Sequence, residues 1–315
     1  MVEAVRTFVA AVVLFSLTAG ILSARAGDGD RKTVIVVGDT QRTSFWERVA
    51  LRELNDDQRE AVMRRIAEES PDLLVILGDL VSSGDDKEAW RYFDQCSAPV
   101  HNKGIPIVPL LGNHEYFGNT EAMLAEIFVR FPLLGGKTWT AVCSEGIAFI
   151  LLNSNFNELT ADQVREQDDW YNAQLRTFWQ DTTVQAIVVC CHHPPFTNST
   201  IVSPSRGVQQ SFVPPFLAAP KAVLFVSGHC HSYEHFLWSG KHFLVTGGGG
   251  GPRQRVEVVP NRRQFEDLYR GPGERDIHFC KLSIEDGRLR VRMVQLDEKA
   301  RMWREGDEFT VSLKE

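Results

Sequence analysis

The chain has 315 residues, 43% of them hydrophobic and 24% charged, a balance that fits a globular protein and excludes a disordered or fibrous one. A formal net charge of −7 and a pI near 5.8 give no global basic field, so neither nucleic acid nor an anionic lipid surface is an expected partner.

At the start of the chain, Arg6 precedes an apolar run from Phe8 to Leu22, and Ala24-Arg25-Ala26 closes it with small residues where a signal peptidase reads. The run falls short of the roughly 18–20 apolar residues of a spanning helix. Residues 1–26 therefore read as a cleaved signal peptide, with export to the periplasm or beyond and no membrane attachment after cleavage. Export would permit disulfides among Cys96, Cys143, Cys190, Cys191, Cys230 and Cys280, but in a domain of this size buried free thiols are as well suited. Their pairing is left open.

From Thr33 onward, short apolar runs ending in Gly, Asp or Asn alternate with longer amphipathic stretches, the pattern of an α/β layered fold. Strands are predicted at 33–38, 73–77, 105–111, 147–153, 186–191 and 223–227, and helices at 57–69, 85–96, 121–128 and 161–179. Thr160 with Gln163 resembles a capping box for the last helix. After Gly228, strand-like segments at 242–246, 277–284 and 288–296 suggest a second sheet. The stretch 247–273 between them, rich in Gly, Pro and Arg, reads as a long surface loop. Arg253 and Arg255 within it read as solvated, and Trp90, Trp170 and Trp179 as core residues on helix faces. No linker divides the chain.

The polar residues fall at the strand ends. Val34 to Val37 leads into Asp39 and Gln41, Leu73 to Leu77 into Asp79, Ile105 to Leu111 into Asn113-His114-Glu115, Ile187 to Cys191 into His192-His193, and Val223 to Ser227 into His229 and His231. In open α/β sheets the ligand crevice lies beyond the carboxyl ends of the strands, so these groups can converge. Carboxylate, amide and imidazole donors suit a hydrolytic metal centre rather than a structural zinc cage. Asp39, Gln41, Asp79, Asn113, His192, His229 and His231 are more ligands than one open catalytic ion uses, and a carboxylate such as Asp79 can bridge two.

The order Asp-x-Gln, Gly-Asp, Gly-Asn-His-Glu, His and Gly-His-x-His, running from Asp39 to His231, resembles the signature of calcineurin-like metallophosphoesterases. That resemblance implies one domain over 27–315, a four-layer αββα sandwich of two facing mixed sheets flanked by helices. It also implies two metal ions, manganese, iron or zinc. Asp39, Gln41 and His231 would hold the first ion, Asn113, His192 and His229 the second, and Asp79 both. His192 is preferred to His193 as ligand because it heads a His-x-Pro pattern similar to that of purple acid phosphatases, which leaves His193 a supporting or surface imidazole. Hydrolysis of a phosphate mono- or diester, or of a nucleotide, would proceed by attack of a metal-bridging hydroxide, with His114 as general acid and Glu115 orienting it. Gln41 stands where the family usually has His, and no Tyr follows Asp79 among Leu80, Val81, Ser82 and Ser83, so the tyrosinate-coloured purple subgroup is not expected. The Asp-x-Gln variant resembles the manganese-dependent ADP-ribose/CDP-alcohol diphosphatases, which makes pyrophosphate cleavage the alternative reaction. A non-catalytic metal-dependent binding protein on the same fold is the third reading.

Overall fold

A computed structural model describes residues 32–299 and 301–313, so the signal peptide expected over 1–26 lies outside the described residues. Twelve strands are described: β1 (Val34–Val37), β2 (Leu73–Ile76), β3 (Ile107–Pro109), β4 (Thr140–Ser144), β5 (Ile147–Leu152), β6 (Ala186–Cys191), β7 (Ala222–Ser227), β8 (Tyr233–Trp238), β9 (Lys241–Thr246), β10 (His278–Glu285), β11 (Arg288–Asp297) and β12 (Met302–Ser312). The helices are α1 (Phe45–Val49), α2 (Asp56–Glu69), α3 (Lys87–Asn102), α4 (Thr120–Arg130), α5 (Ala161–Gln180), α6 (Arg206–Ser211) and α7 (Val213–Ala218).

The strands form two mixed six-stranded sheets, ordered β12-β11-β10-β1-β2-β3 and β4-β5-β6-β7-β9-β8. β1, β2 and β3 pair in parallel, as do β5, β6, β7 and β9. Their residues are almost all buried because both faces of each strand are apolar and both are covered, the usual condition of parallel sheets. Along β1 the alternation is direct. Val34 and Val36 point inward to a core that includes Phe149, Leu151 and Val188 of the facing sheet, whereas Ile35 and Val37 pack outward with Met63, Ile66 and Trp90 of α2 and α3. A third apolar layer joins Ile150 and Val189 to Tyr171 of α5 and Phe212 and Phe216 around α7. Each such fully buried aliphatic side chain contributes roughly 1.5–3 kcal/mol, so the sandwich fixes the strand ends firmly in space.

Several local expectations are corrected. The strands after Gly228 build no sheet of their own: β8 and β9 extend the second sheet, while β10 returns antiparallel beside β1. α3 runs on to Asn102 with Pro99 inside it, and α7 starts on a pair of prolines. The capping box of Thr160 and Gln163 is present. Trp90 is fully buried, but Trp179 is half exposed and Trp170 only partly buried. All six cysteines are free thiols, five of them buried. The 247–273 stretch begins inside the protein: Gly249 N donates to Gly38 O at 2.8 Å, and Arg59 reaches Gly250 O at 2.9 Å. Arg253 is not solvated, since its guanidinium pairs with Glu53 at 2.7 Å and Glu298 at 3.1 Å. Arg255 is exposed. No helix among the described residues is long and apolar enough to cross a membrane.

Candidate metal centre

The loops after β1, β2, β3, β6 and β7 meet at one place, and backbone hydrogen bonds stitch them together. Asp39 N donates to Gly78 O at 3.1 Å, and Gly228 N to His192 O at 3.0 Å. Three non-glycine residues here have left-handed backbones, Asp39 (φ 63°), Asp79 (φ 52°) and His229 (φ 66°). Each such residue costs on the order of 1–3 kcal/mol, and such strain concentrates at working sites. Gly112 is required by the crowding, because a Cβ there would lie 2.1 Å from Asp79 Oδ1 and 2.7 Å from the His192 ring.

Two groups of potential ligands form, each with donor atoms within 4.8 Å of one another: Asp39, Asp79 and His231, and His192, His193 and His229. Asp79 joins the two, with Oδ2 3.3 Å from His192 Nε2. Asn113 Oδ1 also lies 3.1 Å from that nitrogen, and His229 Nδ1 is at the same distance. The rings are aimed by carbonyl acceptors on their far sides. Leu77 O lies 2.8 Å from His192 Nδ1 and Pro252 O 2.7 Å from His231 Nδ1, which puts the proton on Nδ1 and turns the Nε2 lone pair inward. Gln41 belongs to the same cluster. With its NH2 donating to the carbonyls of Asp39 (3.3 Å) and Asp79 (3.1 Å), its oxygen is 3.1 Å from His231 Nε2 and faces inward beside that nitrogen as a second acceptor.

This arrangement fits cations. Acceptor atoms of His192, Asp79 and Asn113 converge in a buried space, and acceptors facing acceptors repel unless positive charge lies among them. A proton on His192 Nε2 can supply that charge, and a bound cation would take its place. Burial alone would raise the Asp79 carboxyl, yet the imidazoles of His192 and then His114 hold it well below the usual carboxylate range. Burial would likewise depress His192, but the charge of Asp79 pushes it up to about 9. The hard carboxylate and amide oxygens with imidazole nitrogens are the donor set of manganese, iron or zinc.

His114 stands beside the cluster. Its backbone N donates to Asp79 Oδ1 at 3.0 Å, its Nδ1 lies 3.2 Å from Ser82 O, and its Nε2 is 4.0 Å from Asp79 Oδ2. Glu115 does not orient that ring. Its carboxylate is fully buried and accepts from the backbone N–H groups of Asp79, Leu80, Val81 and Gly112, so it braces the loops. Sequence reasoning set His193 aside, whereas its ring lies 4.5 Å from that of His229 and 4.9 Å from that of His192. The histidine doublet was the available signal.

The sequence pattern of the calcineurin-like phosphoesterase family matches residues 32–233. The chain is 26% identical over 192 residues to purple acid phosphatase 7 of Arabidopsis thaliana, covering 54% of this chain and 56% of that protein. It is 27% identical over 176 residues to a probable cyclic nucleotide phosphodiesterase of Synechococcus, covering 54% of this chain and 62% of the other. The chain thus spans little more than half the length of the curated relatives it matches. Among solved structures, a purple acid phosphatase from yellow lupin seeds superposes with a TM-score of 0.70 at 15% identity, over 90% of this chain and 54% of that one, a likeness of fold. The likeness to purple acid phosphatases coexists with the absence of Tyr from 80–83.

Proposed function

The chain belongs to the calcineurin-like phosphoesterase family, and from that premise we propose that it is a binuclear metal-dependent phosphoesterase hydrolysing phosphate mono- or diesters. The observation that carries this reading is the position of Asp79, a member of one donor group and 3.3 Å from the other. Asp39, Gln41, His231 and Asp79 would hold one ion, and Asn113, His192, His229 and Asp79 the second. When bound, such a pair neutralises charge on phosphoryl oxygens and lowers the pKa of water. The protein's own part is proton delivery and positioning. With Nδ1 of His114 held toward Ser82 O, its Nε2 is the atom left to carry a proton to the departing oxygen. The likeness to a purple acid phosphatase and to a probable cyclic nucleotide phosphodiesterase supports small phosphate mono- and diesters or nucleotides as substrates.

A second reading, cleavage of a nucleotide-type pyrophosphate bond, rests on Gln41, whose amide oxygen faces His231. Metal analysis of the purified protein followed by a panel of mono-, di- and pyrophosphate esters separates the two. Two bound ions with no turnover on any ester would leave a metal-dependent binding protein instead. Export belongs to the proposal as well, supported by the run from Phe8 to Leu22 and the Ala24-Arg25-Ala26 boundary. Mass spectrometry of the mature N-terminus tests it.

A further inference from the structure

We propose that His193 supplies a third imidazole to the second ion's half of the site, beside His192 and His229. This rests on the binuclear reading above. One ring nitrogen of His193 lies within 4.8 Å of the ligand nitrogens of both other histidines. The ring is held in that place from behind: the Ser154 hydroxyl, itself 4% exposed at the end of β5, lies 2.9 Å from His193 Nδ1 and accepts the His193 backbone N–H at 3.0 Å. With Nδ1 engaged, Nε2 is the nitrogen left for a ligand. A buried hydroxyl that fixes both the backbone and the ring of one residue is the support a metal-binding imidazole receives, whereas a loosely placed surface histidine has no use for it.

The two half-sites then differ in chemistry. Asp39, Gln41, Asp79 and His231 form an oxygen-rich half with a single imidazole. The other half gathers three imidazoles against the oxygens of Asn113 and Asp79. Imidazole-rich sets favour zinc over manganese. His193 would give the second position a steeper preference for zinc than His192 and His229 supply between them.

Zinc titration by calorimetry of the metal-stripped full chain, with nitrogen-15 detection of the histidine side chains, tests this. In the unsubstituted protein the His193 ring nitrogen that is free of Ser154 should shift on filling of one of the two sites. In His193→Ala, one site should weaken by about 10–100-fold while the other keeps its affinity, and Ser154→Ala should weaken the same site by a smaller factor. Two ions bound with unchanged affinities in His193→Ala, an unmoved His193 resonance, or a rise only in the KM of the ester would overturn the proposal while leaving the binuclear reading intact. An unsubstituted chain that binds fewer than two zinc ions would overturn the binuclear reading and this proposal with it.

Discussion

Glu115 Oε2 accepts the backbone N–H of Asp79 at 2.9 Å and that of Gly112 at 2.7 Å, so one buried carboxylate ties the loop after β2 to the loop after β3. Its other oxygen takes Leu80 N at 2.7 Å and Val81 N at 3.2 Å. Burial and the nearby Asp79 charge push the Glu115 carboxyl up to about 7, against the opposing pull of the Gly112 and Val81 N–H groups and the His192 charge. Glu115→Ala would orphan four buried N–H groups at about 1–3 kcal/mol each before relaxation. We expect a net loss of about 3–5 kcal/mol in urea unfolding, together with weaker binding of both ions, because Asp79 and Asn113 ride on the loops so braced. Unfolding with unchanged stability would show that water replaces the carboxylate at no cost.

His114→Ala should keep both ions and lose roughly 10²–10⁴-fold in turnover on esters with basic leaving groups. The loss should shrink for acidic leaving groups such as nitrophenolate, which depart without a proton. Steady-state rates over a leaving-group series give the slope, and equal loss across the series would remove His114 from the general acid role. The geometry limits confusion with metal loss: the backbone N of His114, not its ring, makes the 3.0 Å bond to Asp79, and that bond survives truncation.

How much of this was legible in the sequence depended on where apolar runs end. β1, β2, β3, β6 and β7 lie in apolar runs rich in Val, Ile and Leu, and the residues that follow them are the ones the fold brings together. β12 was invisible because it is an exposed edge strand that carries charged residues without apolar alternation, as Arg304, Glu305 and Glu308 illustrate. α3 was cut short, and α7 missed, because proline normally argues against helix, although Pro214 sits at a helix start where its missing N–H costs nothing. The burial of Gly249 and Gly250 could not be read at all. A glycine-rich segment looks like a surface loop unless one knows that the Gly38 carbonyl and Arg59 wait for it from distant parts of the chain.

Stability should fall in mild acid partly through His278, which is fully buried at the start of β10. Its Nδ1 lies 2.8 Å from Asp276 O, whereas Nε2 has no hydrogen-bond partner, so the ring is neutral with its proton on Nδ1. Burial first, with Arg275 adding to it, lowers its pKa to about 4 from an ordinary value of 6.5. The unfolded chain therefore binds a proton that the folded chain refuses. This contribution is complete above pH 6.5 and is lost as pH falls toward 4, reaching about 2 kcal/mol at pH 5 and about 3 kcal/mol at pH 4. Urea titrations of metal-free protein at pH 7 and pH 5 should show a smaller difference in His278→Gln than in the unsubstituted chain. Equal differences would mean that His278 does not titrate on unfolding.

Gln41 marks the departure of this chain from the usual first motif, and its amide sets a chemical test. With its NH2 held by the carbonyls of Asp39 and Asp79, the oxygen turned toward His231 is fixed from behind, which is what a neutral, hard ligand needs. That half of the site then has one imidazole among oxygens and should work best with manganese or ferrous iron. Intrinsic affinity still ranks zinc higher when both ions are supplied freely, so activation, not binding, is the informative readout. Gln41→His should shift the preferred activating ion toward zinc. Gln41→Ala should weaken the ion held by Asp39 and His231 more than the ion held by His192 and His229, seen as a loss of one of two bound equivalents at limiting metal. Unchanged metal content and unchanged metal-dependent activity in Gln41→Ala would reduce Gln41 to a loop residue, and the pyrophosphate alternative would lose its only support.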